Sequence, residues 1–108
     1  MLSRIIDCKI QPGHVREFRE IVSSELLPQI KQQPGFVDAI ESVDAADGHY
    51  VCMTLWQTRA DVERYDGGLF KEVATKLMPM MNGEASVSTL EVDNSTVHNI
   101  SAGRAAAA

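Results

Sequence analysis

A chain of 108 residues has the length of one domain and is long enough to bury a core of its own. It is 44% hydrophobic and 23% charged with a net charge of −5, and its ten scattered Lys and Arg residues form no stripe. That argues against nucleic acid and anionic membrane surfaces as partners, because both require clustered cations. No apolar run approaches the roughly 20 residues of a membrane span. The opening "MLSRIIDCKI" is too short and too interrupted for a signal peptide. A cytoplasmic location is therefore expected. Cys8 and Cys52 stand in no metal-ligand spacing and read as reduced, buried thiols.

"SRIIDCKI" alternates, with Ile6, Cys8 and Ile10 on one side and Ile5, Asp7 and Lys9 on the other. This predicts a strand bounded by Pro12-Gly13. Val15, Phe18, Val22, Leu26 and Ile30 then form one apolar helical stripe opposite a charged face. Pro12 suits the first turn of that helix, and Pro28 predicts a kink or break near residues 25–27. "QQPGF" stops the helix. A second strand is expected over 36–43, a tight turn at "DAADG", and a third strand over 49–56. "TRAD" at 58–61 has the form of a capping box and opens a short helix to about Tyr65, which "DGG" ends. Phe70, Val73, Ala74, Leu77 and Met81 mark another amphipathic helix, with Pro79 in its last turn. A fourth strand is expected from Glu84 to about Val92.

The order β-α-β-β-α-β predicts an α+β, ferredoxin-like domain over residues 1–97: a four-stranded antiparallel sheet with helices on one face. Residues 98–108 are expected to be a C-terminal tail, flexible or partly vector-derived. The other face of the sheet carries Val51, Met53 and Leu55, with no element left to cover it. A patch of that kind predicts a homodimer through the helix-free face.

Two stretches, "QPGHVREFREIVSSELLPQIKQQPGF" and "YVCMTLWQTRADVERY", resemble the first helix and turn, and the third strand with its tryptophan and short helix, of the antibiotic biosynthesis monooxygenase (ABM) domain. The resemblance covers about residues 3–92. It implies a dimeric α+β barrel and a family that includes cofactor-independent oxygenases of quinols and anthrones, haem-degrading enzymes and proteins without assigned activity. The anthrone-type members carry Asn at the position of Cys52 and Tyr at the position of Val62, so only Trp56 of that set is kept. A thiol is a poor substitute for an amide that steadies an oxyanion. The haem-degrading members carry an axial His at the position of Ala74, a Trp at Tyr65 and an Asn near Ile6, and none of these is kept.

A cofactor-free oxygenase asks its protein for a dry, shaped pocket, donors for an anion and sometimes a base. Trp56, the only tryptophan, is the candidate catalytic residue, able to stack on a flat ring and donate from its indole N–H. The first reading of a lone tryptophan here is nevertheless a plug between sheet and helices, ahead of a pocket wall and of a catalytic role. Trp56, Tyr65, Cys52, Phe18 and Phe70 form the expected substrate pocket. His14, His49 and His98 stand in no metal-binding spacing, no base is identified, and no cofactor or metal is expected. The resemblance, together with Trp56, implies a cofactor-independent monooxygenase of a quinol-like or polycyclic phenolic molecule. The alternative is a non-catalytic binding protein of the same fold, and a haem-handling role is disfavoured by Ala74.

Overall fold

The computed structural model describes residues 1–98 and residue 100. Strands β1 (Leu2–Lys9), β2 (Phe36–Asp44), β3 (His49–Trp56) and β4 (Ser86–Glu91) form one antiparallel sheet in the order β2-β3-β1-β4. Helices α1 (Val15–Ile21), α2 (Leu27–Ile30), α3 (Arg59–Gly67) and α4 (Leu69–Leu77) supply the apolar side chains that meet it. This is the α+β ferredoxin-like arrangement, with β1 and β3 at the centre. The expected alternation of β1 holds toward its end, where Cys8 and Ile10 are buried and Asp7 and Lys9 exposed, whereas Ile5 and Ile6 are both half-buried and Leu2, Ser3 and Arg4 are all buried.

The two prolines shape the first helix from opposite ends. Pro12 lies before the first helix rather than in its first turn. His14 N–H donates to the carbonyl of Gln11 at 3.0 Å, and Gly13 has φ +88°. Pro at the second position and a left-handed Gly at the third favour a type II turn, so the pair aims the chain into α1 from outside. Pro28 does not break its helix. It has no N–H for the ladder and crowds the carbonyl four residues earlier. The backbone responds by widening into a π-helical stretch, Val22–Leu26, in which Leu27 N–H reaches the carbonyl of Val22. The helix then continues through α2.

Thr58 and Asp61 close the capping box reciprocally at the start of α3. Asp66 and Gly67 still belong to that helix, and Gly68 alone separates it from α4. A 3₁₀ turn, Met78–Met80, follows α4 where Pro79 was expected to end it. The fourth strand is shorter at both ends than its alternation suggests.

The helix-free face is not as bare as the sequence implies. Residues 92–98 run along it beside Ser3, Asp38, Ile40, Met53, Leu55 and Leu90. Val92 N–H donates to the carbonyl of Met1 at 3.0 Å, and His98 Nε2 lies 3.4 Å from Asp38 Oδ2. Ser95 and Ile100 exchange backbone hydrogen bonds, and Ile100 is buried. So His98 and Ile100, assigned above to the tail, are held in place; Asn99 and 101–108 lie outside the described residues. Ile40, Leu90 and Val97 stay exposed. Among the described residues, no helix is long and apolar enough to cross a membrane.

Candidate functional site

Between sheet and helices lies a cavity of about 80 Å³. Its floor is Arg4, Ile6 and Cys8 of β1 with Tyr50, Cys52 and Thr54 of β3. Phe18, Val22, Leu26, Leu27 and Ile30 form one wall; Tyr65 of α3 and Phe70, Val73, Ala74 and Leu77 of α4 form the other. Met78 and Met81 complete the lining, and Met78 is the only exposed residue of the set, which marks the mouth. The small side chains of Cys8, Cys52 and Ala74 leave the room. An apolar cavity of about 150 Å³ accepts one benzene ring. A ring therefore enters only if the mouth gives way, and unbranched methionines suit that.

The structure brings Phe18, Cys52, Tyr65 and Phe70 to this cavity. Trp56 is not on its wall, which corrects the expectation that it lines the pocket. The indole is fully buried one layer back, stacked on Tyr65 with ring centroids 4.8 Å apart and edge-on to Phe36 at 5.7 Å. Its Nε1–H donates to Thr54 Oγ1 at 2.8 Å, so it has no N–H left for a ligand. A bulge between Phe36 and Asp38 sets this corner of β2. Trp56 is thus the backing of the Tyr65 and Thr54 walls.

The residue that sequence reasoning passed over is Arg4. Its side chain is 2% exposed, and its Nε lies 2.6 Å from Asp66 Oδ1 of α3, a carboxylate that is 41% exposed. The contact is an ion pair without hydrogen-bond alignment. The guanidinium carbon sits 4.0 Å from the Phe70 ring centroid and 5.4 Å from that of Tyr65, both within cation–π range. A signal was available: Arg4 shares the inward parity of Ile6 and Cys8, so a cation was bound to face the helices.

Arg4 is the only charged group on the described lining. The remaining ionisable groups are held neutral near pH 7. Burial, with the Asp7 carboxylate, pushes the Cys8 thiol up to about 11. Burial raises Cys52 as well, with the neighbouring Tyr50 hydroxyl and the Arg4 cation pulling the other way. Burial pushes the Tyr65 phenol up to about 12, with Arg4 pulling the other way. Burial raises Tyr50 too, and its hydroxyl donates to Glu41 Oε2 at 2.6 Å. The Tyr65 hydroxyl, by contrast, has no hydrogen-bond partner among the described residues and is free to donate. No histidine lines the cavity. His49 pairs with Asp7 at 2.8 Å on the helix-free side, and His14 stands at the N-terminal boundary of α1 without a side-chain cap bond. Ala74 stands on the wall, so haem would find no axial ligand there. Among the described residues no group of three or more His, Cys, Asp or Glu is placed to hold a metal.

Fold and site together define a small α+β protein with an enclosed aromatic pocket that carries one cation and no acid–base pair. The sequence profile of antibiotic biosynthesis monooxygenase matches residues 1–68, and the chain belongs to that family. Solved structures agree on the fold. An antibiotic biosynthesis monooxygenase is 21% identical with a TM-score of 0.74, covering 87% of this chain and 100% of the other. A mutant of SnoaB, a cofactor-independent oxygenase from Streptomyces nogalater, is 18% identical with a TM-score of 0.75, covering 88% and 95%. The ActVA-Orf6 monooxygenase of Streptomyces coelicolor, in complex with Nanaomycin D, is 13% identical with a TM-score of 0.74, covering 87% and 88%. No curated protein matches the chain significantly.

Proposed function

We propose that this protein is a cofactor-independent monooxygenase of a quinol-like or polycyclic phenolic molecule, working in the cytoplasm, where its two unpaired thiols suit a reducing setting. The observation that carries this reading is an apolar, aromatic-walled cavity whose single charge is the Arg4 cation. A ring carbon of the substrate loses its hydrogens and gains one oxygen atom of O₂; the other oxygen leaves as water. The substrate supplies all four electrons, so the protein need only bind, orient and exclude water. Tyr65 and Arg4 supply donors for the developing oxyanion, Phe18 and Phe70 the ring contacts, and Cys52 part of the floor. Trp56 acts as a positioning residue through Tyr65.

Oxygen uptake over a panel of reduced naphthoquinones and anthrones tests this. The wild type is expected to exceed the buffer rate on at least one compound. Ala74→Phe fills the cavity from its wall; overpacking costs about 1–3 kcal/mol and leaves the chain folded, while uptake falls at least about tenfold, the order of loss that a mispositioned substrate brings. A wild type that matches buffer on every compound sinks the reading. The absence of a base on the lining favours a second reading, a non-catalytic binding protein: a ring compound bound without oxygen uptake supports it.

We also propose a two-fold homodimer through the helix-free face. Exposed Ile40, Leu90 and Val97 support it, since scattered apolar residues need no explanation but a contiguous set beside Met53 and Leu55 does. Sedimentation at micromolar concentration should give the dimer mass, and Ile40→Lys should shift it toward monomer. A wild-type monomer ends this proposal.

A further inference from the structure

The function proposed above leaves open in what protonation state the ligand is held. Arg4 carries five N–H donors. Nε lies 2.6 Å from Asp66 Oδ1, and among the described residues the terminal nitrogens make no hydrogen bond. The guanidinium carbon lies over the Phe70 ring at 4.0 Å, and a guanidinium held against an aromatic face keeps its N–H edge for a further partner. The counter-charge sits on the solvent side, because Asp66 is 41% exposed and Arg4 is 2% exposed. A purely structural ion pair is no better than well-packed apolar side chains in such a place. The titratable groups facing Arg4 are Asp66 and Tyr65 of α3 and Cys52 of β3; α4 presents Phe70 and Val73.

We propose that Arg4 holds the ligand as an oxyanion: the cavity takes an aromatic ring whose phenolic or enolic oxygen has given its proton to water, with the guanidinium edge on that oxygen and the ring against Phe70 and Tyr65. The proton goes to solvent because Tyr50, Tyr65, Cys8 and Cys52 keep their own, so no lining group takes it. The cation replaces the base. The inference rests on the small-molecule reading but not on turnover.

The probe is 4-nitrophenol, whose anion absorbs visible light, titrated against the full chain across pH. The wild type is expected to bind the anion at least about tenfold more tightly than the phenol, lowering the bound pKa by about one unit. Arg4→Met should abolish that preference. Arg4→Lys, a folded control that keeps the charge without the fork, should retain part of it. The proposal is overturned if the wild type binds the phenol as tightly as its anion, if neither form binds at millimolar probe, or if Arg4→Met keeps the preference. Oxygen uptake separates the two claims. Anion preference without uptake removes the oxygenase reading and leaves Arg4 its role; uptake without anion preference does the reverse.

Discussion

Trp56→Ala is expected to lower the unfolding free energy by about 3–5 kcal/mol, the range for removing a buried aromatic side chain. The indole is wholly buried, stacked on Tyr65 and edge-on to Phe36, and its N–H satisfies Thr54. Truncation opens a void that backbone on two sides cannot collapse to fill, and it leaves the Thr54 hydroxyl short of a donor. For a domain of about 5–15 kcal/mol total stability that is a large fraction. Trp56→Phe keeps most of the apolar volume and loses the hydrogen bond, so about 1–2 kcal/mol is expected. Urea unfolding followed by circular dichroism measures both, since the substitutions remove the chain's only tryptophan fluorophore. A loss below about 1.5 kcal/mol for Trp56→Ala would contradict the burial described. The intrinsic fluorescence of the wild type gives an independent check: an indole sealed from water emits at short wavelength and is poorly quenched by iodide.

Asp66→Asn is expected to cost about 2–3 kcal/mol, because it leaves the Arg4 cation in the core without its counter-charge. The value sits below that of a fully buried pair, since water reaches the outer edge of Asp66. Arg4→Met combined with Asp66→Asn should recover much of the loss. Once the cation is gone nothing is stranded, and an apolar chain on Phe70 and Tyr65 packs in its place. A double-mutant cycle should therefore give a coupling above about 1 kcal/mol. Additive single effects would mean that the short contact contributes nothing to folding. The same substitution bears on the site: with Asp66 neutral, Arg4 has only the ligand to pair with, so phenolate binding to Asp66→Asn should tighten relative to wild type.

Much of the architecture is legible from local pattern. The alternation of Ile6, Cys8 and Ile10 gives the inward face of β1. The stripe of Phe70, Val73, Ala74, Leu77 and Met81 maps without exception onto the cavity wall. The capping box at Thr58 stands where its residues say. The proline effects are less legible, because a helix can answer a missing N–H either by breaking or by widening, and the choice at Pro28 depends on Val22, Leu26 and Ile30 all gaining from staying packed. Of the candidate site, the aromatic wall is readable from parity. The depth of Trp56 is not: parity says which side a residue faces, not how many layers cover it.

Sequence by itself determined the order of elements, the face each side chain takes and hence the ferredoxin-like sheet with one roofed side. These follow from periodicities of two and 3.6 residues that act between near neighbours. Only the tertiary structure decided that Asp66 meets Arg4, that Tyr65 rather than Trp56 faces the cavity, and that residues 92–98 return across the open side of the sheet. Those contacts join positions far apart in the chain, and they are selected by packing volume and by the cost of burying a charge, neither of which leaves a mark in a local pattern.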